Sequence, residues 1–227
     1  NNGLHLRVRP LPTYFPMDKA EIIRKAYIEY LLTNGHRPPS VFLFAKKLKM
    51  TEPEFYEFYN SFDQAEGDIW LQFFEQARRQ AEAEPVYAEY SVREKLLAFY
   101  YTWIEVLKAN RSYVLLSTGS LRWGRFRRPM PSFVAFRRAF TNFAGDLLLE
   151  GRESREVKQR PFVTDRYPDA FYAQALFLLD FWLRDTSKGF ERTDTAIEKA
   201  VNTSFDLIGS SALDSVLDLA KFVYQNR

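Results

Sequence analysis

Residues 40–61, with the sequence SVFLFAKKLKMTEPEFYEFYNS, constrain the fold of this chain more than any other segment. Ser40 is a good helix cap, and the apolar residues after it return at helical spacing. Thr51, followed three residues later by Glu54, has the capping-box pattern that begins a second helix after a tight turn. The segment therefore predicts a helix-turn-helix unit. The inner face of its second helix is predicted to carry three aromatic residues: Phe55, Tyr56 and Tyr59.

The rest of the sequence predicts helices and no strands. Asp18 can cap a first helix that ends at Asn34-Gly35, with an inward stripe made of Ile22, Ile23, Ala26, Tyr27, Tyr30 and Leu31. Further helices are predicted at about 64–83, 92–109, 112–118, 132–150, 169–184, 193–207 and 212–225. The fold class is therefore all-α, with an extended arm at 1–17, the helix-turn-helix unit at 18–63 and a helical domain at 64–227.

Composition excludes several classes of function. The 227 residues hold no cysteine and only two histidines, which excludes a disulfide framework and a Cys- or His-rich metal site. No apolar run approaches the roughly 20 residues of a membrane span, and no signal-peptide pattern is visible, so we expect a cytoplasmic protein. No nucleophile motif or metal-ligand cluster is present either. We therefore expect no cofactor and no enzymatic activity.

The helix-turn-helix unit has an unusual charge for DNA binding. From Thr51 to Ala77 there are seven acidic residues and no Lys or Arg. Affinity for DNA depends on cations that neutralise phosphates, although a Glu side chain can also accept a hydrogen bond from cytosine. The candidate DNA-binding residues are Arg7, Arg9, Ser40, Lys46, Lys47, Lys49, Thr51, Glu54 and Tyr56.

Residues 18–62 resemble the TetR family of bacterial transcriptional regulators. The residues that carry the resemblance are Ile22, Ala26, Tyr30, Gly35, Ser40, Val41, Phe44, Ala45, Leu48, Met50, Thr51, Phe55, Tyr56 and Tyr59. The resemblance implies a DNA-binding unit followed by a helical domain that binds a small molecule and forms a homodimer. Phe62 stands where the family usually has a phosphate-contacting Lys, and the second helix carries Glu52, Glu54 and Glu57. We therefore expect weak DNA binding.

Residues 173–202 are similar to the TetR-like accessory proteins of ubiquinone biosynthesis. The shared pattern is a helix that ends in an acidic residue, a Ser-containing turn, an aromatic residue and a helix that begins near a Thr. This resemblance implies the alternative function of a lipid- or isoprenoid-binding protein with no DNA role. Its C-terminal helix would touch a membrane through a stripe made of Leu213, Val216, Leu217, Ala220, Val223 and Tyr224.

Aromatic residues suggest where an apolar small molecule or lipid would bind. The candidate pocket consists of Phe99, Tyr100, Trp103, Phe133, Phe136, Phe140, Phe177, Phe181 and Trp182. The alternative is that these rings form an aromatic-rich core. The candidate dimer interface, a four-helix bundle made with a second copy, consists of Leu176, Leu179, Leu183, Ile197, Val201 and Phe205.

Six arginines lie between Gly119 and Arg138 without an acidic residue among them. They form a candidate anion patch that consists of Arg122, Arg125, Arg127, Arg128, Arg137 and Arg138. Its partner would be lipid headgroups, nucleic acid or an acidic protein surface. The alternative is a solvated loop whose arginines pair with nearby acids.

Overall fold

A computed structural model describes residues 18–119, 131–158 and 164–209. These residues contain nine α-helices, four short 3-10 turns and no strand. The helices are α1 Lys19–Asn34, α2 Val41–Lys47, α3 Glu52–Tyr56, α4 Phe62–Glu82, α5 Val92–Ala109, α6 Arg111–Thr118, α7 Val134–Glu153, α8 Tyr167–Arg184 and α9 Glu191–Gly209. The all-α prediction is confirmed for this part of the chain. The predicted arm (1–17) and the predicted last helix (212–225) lie outside it.

Capping residues explain where the helices begin and end. The Asp18, Ser40 and Ser91 side chains each accept a hydrogen bond from a backbone N–H in the first turn of α1, α2 and α5, which satisfies a donor that has no partner within the helix. Gly35 ends α1 in the left-handed conformation at φ 70°, which glycine adopts without steric cost. Both ends of α5 agree with the predicted bounds.

The predicted helix-turn-helix unit is formed by α2 and α3. Thr51 and Glu54 make the predicted capping box: the Glu54 carboxylate accepts from the Thr51 backbone N–H at 2.7 Å, and the Glu54 N–H donates to Thr51 Oγ1 at 3.3 Å. The turn places Lys49 at φ 57°, a left-handed conformation that is unfavourable for a residue with a Cβ.

Two predicted inward side chains point outward instead. Tyr56 is 45% exposed, because Phe55 and Tyr59, four residues apart, occupy the buried face of this segment and position 56 is rotated about 100° from it. Ile22 is 36% exposed for the same reason, since Ile23, Tyr27 and Leu31 form the buried face of α1. The prediction of an inward position is wrong for Tyr56 and Ile22.

Residues 18–63, called the head below, have a small aromatic core. Phe62, the first residue of α4, stacks on Tyr27 of α1 with ring centroids 5.4 Å apart. Phe62 also meets Phe44 of α2 edge-on at 5.5 Å and Phe55 of α3 at 5.7 Å. The side chain at position 62 therefore holds the three head helices together.

The described residues from 64 onward, called the body below, form a second and larger core. Helix α4 packs against α5 and α7, α7 packs against α8, and α9 packs against α5 and α8. Helix α6 packs against α1 of the head, so both α4 and α6 connect head and body. Within the described residues, no helix has the length and apolar character needed to cross a membrane.

Candidate functional site

The head carries no net charge. Residues 18–63 contain seven Lys or Arg and seven Asp or Glu, which cancel. Four of the cations lie in ion pairs: Lys19 with Glu54, Arg24 with Asp68, Lys25 with Glu21, and Arg37 with Asp63 and Glu66. Cations that are paired within the protein have less to gain from a phosphate.

The remaining cations of the head are Lys46, Lys47 and Lys49, on α2 and in the turn. All three are exposed and form no ion pair with another described residue, although Lys47 Nζ lies 5.2 Å from the centre of the Tyr30 ring. They are the described residues best placed to meet a phosphate. Arg7 and Arg9, the other predicted cations, lie outside the described residues.

Several predicted DNA-binding residues are already engaged in local structure. The Ser40 and Thr51 hydroxyls cap helices, and the Glu54 carboxylate also accepts from Lys19 at 3.1 Å. The backbone hydrogen bond from Thr51 and the contact with Lys19 lower the pKa of Glu54 to about 2. Glu54 is therefore a structural residue of α3 rather than a free acid that faces DNA.

Large apolar side chains are exposed on the outer surface of the head. Phe42 and Leu43 on α2 are 55% and 51% exposed, and Tyr56 on α3 donates to Glu52 at 3.3 Å. Glu57 at the end of α3 is exposed and has no partner among the described residues. The exposed surface of α2 and α3 therefore carries apolar and acidic groups beside the three lysines.

Two charged networks join the head to α4, and sequence analysis missed both. Glu66, only 2% exposed, accepts from the Tyr27 hydroxyl at 2.5 Å and from Arg37 Nη2 at 2.6 Å. Burial and the Glu66 carboxylate raise the pKa of Tyr27, which keeps this hydroxyl protonated. In the second network, Asp68 accepts from Arg24 at 2.7 Å and from the Tyr59 hydroxyl at 2.5 Å.

Six of the nine candidate pocket residues pack against one another in the body. Phe99, Tyr100, Trp103, Phe136 and Phe140 are fully buried, and Phe133 is 4% exposed. The Trp103 and Phe136 rings stack at 5.3 Å, and Phe140 lies 5.7 Å from Phe99. At these distances the rings are in contact, so they form part of a packed core. Their role in ligand binding stays a prediction.

The candidate pocket residues on α8 separate into two environments. Trp182 is fully buried, whereas Phe177 and Phe181 are half-buried and line an open groove of about 580 Å³ between α8 and α9. The groove is completed by residues of α9: Arg192, Thr195, Ala196, Lys199, Ala200 and Thr203. Its lining is mainly apolar and includes two exposed cations, Arg192 and Lys199.

The six candidate dimer residues are also divided. Leu179, Ile197, Val201 and Phe205 are buried in the core of the protomer itself, and Leu176 and Leu183 are half-buried. Apolar spacing correctly identified a buried face on α8 and α9, but the protomer itself buries it. Among the described residues, α8 and α9 form a groove whose lining includes Phe177, Phe181, Ala196 and Ala200.

The turn between α8 and α9 is built around Asp185. Its carboxylate accepts four hydrogen bonds, two from Ser187 and two from Thr193, at 2.7–2.9 Å. Burial alone would raise the pKa of Asp185, but these hydrogen bonds lower it to about 2. The acidic, serine and threonine residues that the sequence pattern singled out here are therefore joined in one capping structure.

Only the last two members of the candidate anion patch lie within the described residues. Arg137 on α7 donates to Asp169 at 2.9 Å and lies over the Tyr172 ring at 5.6 Å, whereas Arg138 is exposed. Arg122, Arg125, Arg127 and Arg128 lie outside the described residues, as does the predicted membrane-touching stripe of residues 213–224.

Comparison with known families identifies the class of this protein. Residues 95–223, more than half of the chain, match the family model described as tetracyclin repressor-like, C-terminal domain. The chain belongs to the TetR family, and it has the all-α fold expected of that family. No curated protein matches the sequence. TetR-family proteins are generally regulators that form dimers and bind small molecules and DNA.

Proposed function

We propose that this protein is a homodimeric TetR-family regulator that binds an apolar small molecule and has weak affinity for DNA. The charge of the head is the observation that carries the proposal. A folded and correctly capped helix-turn-helix unit supports descent from a DNA-binding head. The zero net charge of the head and the ion pairs that engage Arg24 and Arg37 support weak phosphate binding.

DNA titration tests this proposal directly. With DNA from the gene's own promoter region at physiological salt, we expect a dissociation constant no tighter than about micromolar, in the non-specific range. Nanomolar, sequence-selective binding by the natural protein would overturn the proposal. The variant Glu57→Lys should bind several-fold more tightly, because it replaces an unpaired acid of α3 by a cation that can meet a phosphate.

A matched control separates this effect from net charge alone. Glu29→Lys makes the same charge change at an exposed position of α1 rather than of the helix-turn-helix unit. Each new phosphate contact should make the slope of log affinity against log salt more negative by about 0.9. Only Glu57→Lys should therefore make DNA affinity depend more steeply on salt. Glu54→Lys is unsuitable, since it would also remove the capping box of α3.

The α8–α9 groove is the proposed dimer face. Ala196 and Ala200 lie one helical turn apart on α9, and such small residues allow another helix to approach closely, while Phe177 and Phe181 supply apolar area. Arg192 and Lys199 at the rim can extend their charged ends into water and cover the interface with their stems. A stable interface of this kind needs about 800 Å² from each partner.

Light scattering tests the dimer. The natural protein should have twice the protomer mass of 26.8 kDa at micromolar concentration. Phe181→Glu should give monomers of unchanged helicity, because it places a charge in the groove. Leu149→Glu, at a 55% exposed position on α7, is the matched control and should leave the dimer intact. A monomeric natural protein would exclude the dimer.

The second candidate function is a lipid- or isoprenoid-binding accessory protein with no DNA role. The exposed Phe42 and Leu43 favour it, because apolar side chains on the outer face of α2 suit a protein partner better than DNA. This function predicts that Glu57→Lys still fails to bind DNA and that organic extracts of the purified protein contain a lipid. Mass spectrometry of such extracts, with DNA titration beside it, distinguishes the two functions.

A further inference from the structure

Arg111, the first residue of α6, lies between two aromatic rings of the α8–α9 region. Its guanidinium carbon is 4.6 Å from the centre of the Trp182 ring and 4.7 Å from that of Phe190. Stacking of this kind holds the planar guanidinium in a fixed orientation. The hydrogen-bond donors of Arg111 are therefore fixed at the junction of α5, α6 and α8.

Two donors in this cluster are buried without an acceptor. Arg111 Nη1 and Trp182 Nε1 are both inaccessible to solvent, and neither has a hydrogen-bond partner. Trp182 is fully buried, and Arg111 forms no ion pair with another described residue. An unsatisfied buried donor is destabilising, and more so when it is charged, so an acceptor placed here would be strongly favoured.

Nearby acids are already engaged or face another cation. Lys108 lies 5.4 Å from the centre of the same Phe190 ring, and Glu105 accepts its hydrogen bond at 2.6 Å. Asp185 uses its carboxylate in the α8–α9 turn, and Asp194 interacts electrostatically with Lys108. The cation of Arg111 therefore has no compensating carboxylate among the described residues.

We propose that Arg111 and Trp182 bind the carboxylate of an apolar ligand. The guanidinium and the indole N–H would each donate to a carboxylate oxygen, and the apolar part of the ligand would pack against the aromatic side chains of the body. This inference names the ligand class within the proposed function and rests on it. Because α6 also packs against α1, a ligand bound at Arg111 contacts a helix that touches the head.

The competing explanation is purely structural. In that case Arg111 only clamps the start of α6 to Trp182 and Phe190, and the buried donors are satisfied by water. The two explanations differ in what a carboxylate does. A structural clamp would bind acids and their uncharged esters equally well. The proposed site would bind the acid more tightly than its ester.

Two acid–ester pairs test the inference, measured by isothermal titration calorimetry on the full chain. The pairs are dodecanoic acid with methyl dodecanoate, and 2-naphthoic acid with methyl 2-naphthoate, so that chain-like and flat ligands are both represented. At least one acid should bind about tenfold or more tightly than its ester, as expected for a charge-assisted hydrogen bond. The Arg111→Gln variant should reduce this preference to about onefold.

Further variants locate the site. Trp182→Phe should weaken the acid and the ester alike, because the indole N–H can donate to either carbonyl group. Arg93→Gln is the matched control, since Arg93 pairs with Asp206 on the surface and should not alter the preference. If circular dichroism shows that Arg111→Gln does not fold, Arg111→Lys takes its place. Lysine keeps the positive charge but lacks the planar, forked donors of the guanidinium, so this variant should retain a reduced preference for the acid over its ester.

Each outcome bears on a separate claim. Equal binding of acid and ester by the natural protein would overturn the inference and leave the proposed apolar ligand standing. A preference that survives Arg111→Gln and disappears in Arg192→Gln would place the carboxylate in the α8–α9 groove and also overturn it. If none of the four compounds binds, the inference fails, and the apolar ligand of the proposed function loses its support as well.

Discussion

The head and the body are each stabilised by different physical interactions. In the body, aromatic rings in mutual contact fill the centre, and away from the junction with the head the buried charged groups are few: Lys95, Asp180 and Asp185. In the head, a small ring cluster is supplemented by two charged networks that reach α4 through Glu66 and Asp68. The body therefore depends on apolar packing, whereas the position of the head on α4 depends on charge.

This difference has a consequence for regulation. Charge pairs at the junction of head and α4 have specific geometry, so they resist rotation of one against the other more than a purely apolar contact does. A ligand that shifts α4 should therefore carry the head with it as a unit. Changes in the body should act on stability, and changes in the junction should act on the position of the head.

The largest effect is expected in the body. Phe136 is fully buried and meets five other rings of the described residues, including Trp103 at 5.3 Å and Tyr172 at 5.8 Å. Phe136→Ala should lower the free energy of unfolding by about 4 kcal/mol, because it removes apolar burial and leaves a cavity. For a chain of this size the melting temperature should fall by roughly 8–16 °C, measured by differential scanning calorimetry.

Val134→Ala is the control for this substitution. Val134 lies two residues away and is 60% exposed, so its truncation should change stability by less than about 0.5 kcal/mol. Should Phe136→Ala cost as little as Val134→Ala, the rings of the body would not be close-packed. The contrast between an apolar body and a charged junction would then be lost.

A smaller effect is expected at the junction. Glu66→Gln keeps the shape of the side chain and removes its charge, so Arg37 loses its buried partner. Removing one member of a buried pair costs about 3–5 kcal/mol, but the Arg37 side chain is 48% exposed, and we therefore expect about 2 kcal/mol. Thermal unfolding should show this loss, and hydrogen exchange should rise in α1 more than in α5.

Glu75→Gln is the matched control on the same helix. Glu75 pairs with Arg78 three residues away on the surface of α4, and such pairs contribute about 0.5 kcal/mol or less. Equal losses for the two variants would show that the Glu66 network does not fix the head. Faster exchange spread evenly over head and body would lead to the same conclusion.

Local sequence signals predicted the elements of this fold well. Caps at Asp18, Ser40, Thr51 and Ser91 act within one helical turn, so the residues that make them are close in sequence and visible in it. The helix-turn-helix unit and the bounds of α5 followed from such signals. The resemblance of residues 18–62 to the TetR family implied the TetR fold, and the family comparison confirms it.

Contacts between distant residues were not predictable in the same way. Glu66 meets Tyr27 across 39 residues and Arg37 across 29, and no periodic pattern connects such pairs. The stripe of Leu179, Ile197 and Val201 shows why apolar spacing alone is insufficient to predict an interface with a second copy. Periodicity identifies a face that is buried, but it does not tell whether the same chain or a partner buries it.

The smallest effect is expected at Lys49 in the turn between α2 and α3. Its φ of 57° is unfavourable for a residue with a Cβ and free for glycine, so Lys49→Gly removes strain from the head. Part of the gain is offset because glycine also makes the unfolded chain more flexible. We expect a net stabilisation of about 0.5–1 kcal/mol, measured by urea unfolding.

Lys46→Gly provides the control of opposite sign. Lys46 lies within α2, where glycine costs about 1 kcal/mol relative to a good helix former, so this variant should be less stable than the natural protein. Both substitutions remove one of the three unpaired lysines, and both should weaken any residual DNA binding and reduce its salt dependence. A loss of stability in Lys49→Gly similar to that in Lys46→Gly would show that the turn stores no strain. Tighter DNA binding by Lys49→Gly would mean that strain in the turn, as well as charge, limits how the head meets DNA.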